Sequence, residues 1–148
     1  MTVQELTPSA CWSLLRGAQV GRLAACVGRR PEIFPVNYVV DGGSIVFRTG
    51  DGSKLRAITT APDIAFEVDG YDADAGDAWS VVAHGRAADL PDSEIAEALA
   101  LPLFPWHGGP KHRLIRIEPY LISGRRFIIA PSPGAAVPGT TGRPAPIE

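Results

Sequence analysis

Along most of the chain, short apolar runs rich in β-branched residues alternate with clusters of Gly, Pro and Asp. Runs of this kind, bounded by turn residues, are typical of β-strands. The predicted strands are Val20–Val27, Pro31–Val40, Ser44–Thr49, Ile64–Tyr71, Ala78–Ala88, Leu114–Ile117 and Leu121–Ile129. Gly28–Arg30 and Asp41–Gly43 form tight turns between the first three runs, since glycine supplies the positive φ that a hairpin requires. These three runs therefore predict an antiparallel meander.

Three short helices are predicted around the strands. Thr7 can cap the first, Pro8 occupies a position where its missing N–H costs nothing, and Gly17 ends it. The second spans Ser53–Thr60 and the third Ser93–Leu101. Six or so strands at hairpin spacing, with only short helices between them, favour a mainly β fold over a parallel α/β sheet. We expect an antiparallel Greek-key barrel with short peripheral helices.

The composition fits one globular domain. The chain has 148 residues, of which 45% are hydrophobic and 20% charged. We assign residues 1–130 to the folded domain, because residues 131–148 are rich in Pro, Gly, Ala and Thr and cannot bury enough surface to order themselves. This second segment is interpreted as a flexible tail.

The charge and the apolar pattern limit the classes of partner. The formal charge is −2, whereas nucleic-acid binders usually concentrate positive charge, so a nucleic-acid partner is disfavoured. No apolar run approaches the roughly 18 residues that span a bilayer, and the N-terminus does not resemble a secretory signal. We expect a cytoplasmic protein that does not bind membranes, with Cys11 and Cys26 reduced and buried as small hydrophobic residues.

The stretch FRTGDGSK is the strongest candidate for a binding site. Here Arg48 and Thr49 end a strand, glycines turn the chain, and Ser53 and Lys54 begin a helix. The N-terminus of a helix carries unpaired N–H groups and a partial positive charge, which suit a phosphate. The alternative interpretation is that Ser53 only caps the helix and Lys54 is a solvated surface charge.

Three stretches of the sequence together resemble one known family. PEIFPVNYVVDGGSIVFRTGDGSKLRAI, AFEVDGYDADAGDAWSVVAHGRA and LPLFPWHGGPKHRLIRIEPYLISGRRF occur in the order typical of the pyridoxamine 5′-phosphate oxidase-like family. The similarity is strongest to its short actinobacterial, nitroimidazole-reductase-like branch, and it extends over roughly Leu6 to Phe127. The resemblance implies a six-stranded split β-barrel that forms a homodimer, with FMN in a groove between the two subunits.

The resemblance also implies which residues hold the cofactor. The family's phosphate-binding positions fall on Arg48, Thr49, Ser53 and Lys54, and the strand beside the flavin ring on Pro35, Val36, Asn37 and Tyr38. Trp79 and Ser80 match the strand that approaches the flavin from the other side, and Trp106 and His107 match a loop that closes over the ligand. Independently, Pro35 predicts a place where its strand does not face another strand, because proline cannot donate to a ladder. The alternatives are an ordinary strand pair for Asn37 and Tyr38, a core or interface position for Trp79, and a structural plug for Trp106 and His107.

The functional hypothesis that follows is an FMN-dependent oxidoreductase, of the flavin reductase or nitroreductase kind, in which hydride passes between a nicotinamide donor and a small acceptor. In such a protein the cofactor supplies the hard chemistry and the chain supplies position and hydrogen bonds. Oxidation of pyridoxamine phosphate itself is disfavoured, because Arg125 and Arg126 are only a partial substitute for the residues that would hold a second phosphate. Two alternatives are a reductase that uses a deazaflavin coenzyme and a non-catalytic carrier or sensor of flavin or haem. No histidine has a metal-ligand pattern around it, so no metal site is predicted.

Overall fold

The computed structural model describes residues 2–50, 52–91, 93–94 and 113–128. Within this part of the chain, seven strands and two helices are formed. They are β1 (Thr2–Glu5), α1 (Pro8–Gly17), β2 (Val20–Val27), β3 (Arg30–Asp41), β4 (Ser44–Thr49), α2 (Ser53–Thr60), β5 (Asp63–Asp72), β6 (Asp77–Asp89) and β7 (Arg113–Ile128). Most of the predicted third helix, the predicted loop with Trp106 and His107, and the predicted tail lie outside the described residues.

Six of the strands close into a ring. Their order is β7-β4-β3-β2-β5-β6, and β6 pairs again with β7. All these pairings are antiparallel. Strands β2, β3 and β4 form the predicted meander, and the chain then crosses through α2 so that β5 lies beside β2, which is a Greek-key connection. The predicted class, a mainly β antiparallel split barrel with peripheral helices, is confirmed.

Strand β7 differs from the prediction. Leu114–Ile117 and Leu121–Ile129 were expected to be separate strands, but Arg113–Ile128 is continuous. It pairs with β6 along nearly its whole length, while its other edge pairs with β4 near one end and with β1 near the other. A change of register between His84 and Gly85 lets the ladder pass Pro119. The two apolar runs are therefore one strand with an irregularity.

Strand β1 is absent from the prediction. Its four residues, TVQE, contain one large apolar residue, and all four are exposed. They pair with the last residues of β7, from Arg125 to Ile128. A partner so distant in sequence, and not the local pattern, makes this segment a strand.

The core lies inside the ring, where alternate residues of each strand point inward. Its largest fully buried side chains are Phe47, Phe66, Leu15, Leu23, Ile45, Ile58, Ile115 and Ile117. Helix α1 contributes Cys11 and Leu15 to this core. As predicted, the Thr7 hydroxyl caps α1 by accepting a 3.2 Å hydrogen bond from the Ala10 N–H.

The two cysteines have different environments. Cys11 is buried, and burial raises the pKa of its thiol. Cys26 is exposed, so the prediction that both are buried is wrong for Cys26. The reason is the two-residue period of β2, which places Leu23 and Ala25 inside and Arg22 and Cys26 on the outer face.

Neither helix in the described part of the chain has the length and apolar character needed to cross a bilayer. Among the same residues, no group of three or more His, Cys, Asp or Glu side chains is arranged to hold a metal ion.

Candidate functional site

The junction between β4 and α2 combines a strand end and a helix start, as the sequence indicates. β4 ends at Thr49 and α2 begins at Ser53. The N-cap residue is Gly52, with a φ of 154° and no side chain that could accept a hydrogen bond from the first turn. The N–H groups of this turn therefore lack a capping side chain from Gly52 and keep their partial positive charge for a ligand.

Arg48 has a buried donor at this junction. Its register partner is Leu114, a buried residue of β7. The guanidinium Nε is buried and has no hydrogen-bond partner within the described residues. An unsatisfied buried donor costs about 1–3 kcal/mol, which an accepting oxygen would remove. A phosphate offers such an oxygen, and the residues present at the junction fit an anionic group.

Thr49 is buried and Lys54 is half-buried, and the two residues flank the same turn. The Thr49 side chain is buried, and its hydroxyl donates to the Gly50 carbonyl oxygen at 3.2 Å. To donate to a ligand this hydroxyl would have to rotate away from Gly50. The Lys54 ammonium lies 5.6 Å from the centroid of the Phe34 ring, within the range of a cation–π contact. Lys54 is thus held against β3.

The second predicted segment, on β3, continues past the end of the β4 ladder. Pairing of β3 with β4 runs from Tyr38 to Asp41, while pairing with β2 covers the earlier part of β3. Pro35 lies opposite Arg22 of β2, in the part of β3 where the β4 ladder has no register partner for it. This position explains how the strand tolerates a proline. Pro35 and Asn37 alternate with the buried Val36, so they lie on the outer face of the strand.

Tyr38 belongs to the core and not to a ligand surface. Its hydroxyl donates to the Leu15 carbonyl oxygen at 2.5 Å, and its ring meets Phe66 edge to face with centroids 5.0 Å apart. Its N–H donates to the Gln19 carbonyl oxygen. Burial raises the pKa of Tyr38 to about 12. The structure therefore directs both donors of Tyr38 to the protein itself, away from the junction.

Trp79 and Ser80 lie on β6, in the part of the strand that pairs with β5 and β7. Trp79 packs against the core, and a Cβ added to Gly70, its register partner on β5, would stand 2.5 Å from the indole ring. Ser80 is half-buried, next to Asp69 in register. Trp106 falls outside the described residues. Arg48, Thr49 and Lys54 thus flank the β4–α2 junction in sequence, and Trp79 and Ser80 belong to a different strand.

Sequence reasoning missed Phe34. It lies on β3 two residues before Val36 and packs against the core from a half-buried position. Its two-residue spacing from Val36 and Tyr38 would have placed it on the inner face. No local signal relates it to Lys54, because the contact joins two separate elements.

A row of residues across the outer face of the sheet was also missed. In register from β3 to β7 the row consists of Ile33, Ala24, Ala65, His84 and Leu121. Ile33 is 67% exposed and Leu121 56% exposed, and the small alanines between them leave a depression.

A group of charged side chains borders this outer row. The Arg22 guanidinium lies 3.6 Å from the Glu67 carboxylate and 3.4 Å from that of Asp69. Oε1 of Glu67 is buried and has no hydrogen-bond partner in the described part of the chain. Burial, and then the neighbouring Asp69, raises the pKa of Glu67, while Arg22 opposes the shift. A carboxylate so placed is better suited to a covered surface with a further donor than to open water.

The ring of six antiparallel strands, crossed by a helix whose start is suited to a phosphate, defines a protein of the split-barrel class. Comparison with known families identifies a matching one. The profile of the family described as pyridoxamine 5′-phosphate oxidase matches residues 7–126, and the chain belongs to this family.

Known proteins similar to the chain include both sequence relatives and solved structures. An uncharacterized protein of Mycobacterium tuberculosis is 30% identical over 131 residues, covering 85% of this chain and 86% of the relative. The structure of the FAD-binding protein from Mycobacterium smegmatis is 32% identical, with a TM-score of 0.71 over 85% of this chain and 99% of that one. A FAD-binding protein from Mesorhizobium loti is 24% identical, with a TM-score of 0.76 over 86% of this chain and 99% of that one, and supports the fold alone.

Proposed function

We propose that the protein is a flavin-dependent oxidoreductase that binds FMN with the phosphate at the β4–α2 junction. The proposal rests on the buried Nε of Arg48, which has no hydrogen-bond partner among the described residues, and on the nearby start of α2, which Gly52 leaves without a capping side chain. A phosphate monoester would supply acceptors to both. When bound, the flavin would supply hydride exchange between a nicotinamide donor and a small acceptor.

The chain's own residues would bind and orient the cofactor. Arg48 offers a planar fork of donors and Lys54 a compact charge, and charge-assisted bonds to phosphate are about twice as strong as neutral ones. The outer positions of β3, Pro35 and Asn37, lie where the β4 ladder has ended, and their strand can run alongside a planar ring. Because the Tyr38 hydroxyl donates its hydrogen bond to the Leu15 carbonyl oxygen, we do not propose Tyr38 as a proton donor to the substrate.

We infer that the working unit is a homodimer, with the outer row from Ile33 to Leu121 at the contact between subunits. Burial of such apolar side chains is favourable by about 25 cal/mol per Å². We propose that Trp79 and Ser80 contact the flavin bound by the other subunit of this dimer.

A dinucleotide is the main competitor of FMN for this site, because the Mycobacterium smegmatis protein of 32% identity is named a FAD-binding protein. FMN and FAD share the phosphate next to the ribityl chain, so the contacts proposed at the junction would serve either. They differ in mass and in the adenosine part that FAD adds. The junction therefore argues for a phosphorylated flavin, and the mass of the bound molecule decides which one.

The experiment that tests the proposal is a visible absorption spectrum of freshly purified protein, with the released chromophore identified by mass. We expect a flavin spectrum and the mass of FMN. If the released molecule has the mass of FAD, the protein binds a flavin, but the cofactor is FAD and not FMN. A Soret band would indicate haem, and a deazaflavin mass or a spectrum that stays bare after incubation with FMN would overturn the flavin proposal. Stopped-flow reduction of the bound flavin by NADH and NADPH then tests the oxidoreductase assignment, and no reduction by either would favour a carrier or sensor.

A further inference from the structure

We propose that Phe34 is a positioning residue that holds the Lys54 ammonium at the β4–α2 junction, so that the protein discriminates phosphorylated from unphosphorylated flavins. This inference rests on the proposed function. It concerns a residue to which neither the sequence motifs nor the comparisons give a role. The juxtaposition that carries it is the 5.6 Å distance between Lys54 Nζ and the Phe34 ring centroid.

Phe34 is a rigid support. It lies on β3 in register with Leu23 of β2, which is fully buried, and it packs against the core of the barrel. Its rotamers are restricted on the side that packs against the core, because neighbours on the inner face fill that space. The ring face presented to Lys54 is therefore fixed by the barrel.

Lys54, in contrast, has a flexible stem on a fixed backbone. Helix α2 is anchored through Leu55, Ala57 and Ile58, which are all buried, and Lys54 precedes them on the same helix. The backbone of Lys54 is thus set by packing, but four rotatable bonds separate it from the ammonium. A contact with an aromatic face attracts the ammonium and reduces the number of conformations that binding must select from.

A contact with a ring face is compatible with binding of an anion, because it does not use the three N–H donors of an ammonium. Phe34 also directly precedes Pro35, in the part of β3 proposed to run beside the flavin ring. Because side chains alternate along a strand, Phe34 lies on the inner face of this segment and Pro35 on its outer face.

The test compares the affinities of FMN and riboflavin, which differ by the phosphate. For Phe34→Leu we expect FMN affinity to fall about three- to fivefold, the range of a partly exposed cation–π contact, while riboflavin affinity changes less than about twofold. Phe34→Tyr should retain the wild-type preference for FMN, since it keeps the ring face. Lys54→Met should reproduce the selective loss without altering the core, which keeps the test valid if Phe34→Leu folds poorly.

A double-mutant cycle links the two residues. In a Lys54→Met background, Phe34→Leu should have almost no further effect on FMN affinity, because the ammonium that it positions is gone. An equal loss for FMN and riboflavin, or effects that simply add in the cycle, would overturn the inference and leave Phe34 as a packing residue. Failure of the wild type to bind FMN would overturn the proposed function as well, whereas FMN binding by wild type with unaltered selectivity in Phe34→Leu would overturn this inference alone.

Discussion

Neighbouring residues of β4 have different roles because successive side chains of a strand point to opposite faces of the sheet. Phe47 and Thr49 point into the barrel and are buried, while Arg48 between them points to the outer side. The free protein therefore contains a buried donor with no partner in the described part of the chain. Natural structures seldom tolerate such a group without a reason, and a ligand is one.

Replacement of Arg48 should affect stability and binding in opposite directions. In Arg48→Met the apolar stem remains and the unsatisfied donor is removed, so the free energy of unfolding of the ligand-free protein should stay unchanged or rise slightly. FMN affinity should fall about tenfold or more, because a charge-assisted bond is worth about 1.5–3 kcal/mol. Chemical denaturation and flavin titration measure the two quantities. Arg56→Met, an exposed position on α2, is the matched control and should change neither.

Tyr38 predicts a pH dependence of stability. Burial raises its pKa to about 12, above the value of about 10 for an unfolded chain. The folded state then retains the proton where the unfolded state has lost it, so the contribution of Tyr38 is complete below pH 10 and is lost as the pH rises toward 12. Unfolding curves at several alkaline pH values should show a steeper loss in wild type than in Tyr38→Phe. Parallel losses in the two proteins would contradict the assignment.

At the scale of elements, β5 and β6 show how a glycine permits close packing. Gly70 faces Trp79 across the ladder, and its missing side chain makes room for the indole ring. This arrangement fixes the ring of a residue that the sequence pattern associated with the cofactor. The contact between Trp79 and Gly70 lies within one chain, so it does not depend on a ligand.

Gly70→Ala should therefore destabilise the protein. The new Cβ would stand 2.5 Å from Trp79 ring atoms, and overpacking of this kind costs about 1–3 kcal/mol. Gly43→Ala is the control, since nothing lies within 4 Å of a Cβ at that position. Thermal denaturation should show a clear decrease in Tm for the first variant and a small change for the second. Equal effects would indicate that backbone entropy, and not the indole contact, decides the result.

Most of the strands could be predicted from the sequence, because the patterns that indicate them are local. Period-two alternation and turn glycines located β2 to β6 within about two residues of their observed bounds. The continuity of β7 through Pro119 and the pairing of β1 could not be predicted, because both depend on partners elsewhere in the chain. The same is true of the site. The motif FRTGDGSK indicates Arg48 and Lys54, but the contact of Lys54 with Phe34 arises only when β3 and α2 are brought together.

At the scale of the whole molecule, the outer sheet face is the feature that a single barrel leaves unexplained. Ile33 and Leu121 are exposed at the two ends of one row, and Glu67 lies nearby with a buried oxygen. A second subunit on this face would cover the first two and could bring a donor to the third. The proposed groove for the flavin would then form only in the dimer, and assembly and flavin binding would be linked by mass action.

Leu121→Arg should weaken the dimer strongly. A charged residue within a desolvated contact typically costs several kcal/mol, so we expect the dimer dissociation constant to rise at least about a hundredfold. Light scattering coupled to gel filtration measures the molar mass, and flavin retention should fall with it. Val3→Arg, at an exposed apolar residue of β1, is the control and should remain dimeric. A wild type that is monomeric and retains flavin would contradict the interface and the shared groove together.

The closing strand β7 also determines when the barrel can form. Ile117 must pair with Ile45 of β4 on one side and with Ala87 of β6 on the other, so the contacts that close the ring join separate parts of the chain. Contacts between residues far apart in sequence cost chain entropy before they contribute stability, and proteins dominated by such contacts fold slowly. During synthesis the meander can pair early, but one edge of β4 and one edge of β6 have to wait for β7 to leave the ribosome. Until then these two edges are open to pairing with other chains, and chaperone binding in this interval would protect the nascent barrel from aggregation.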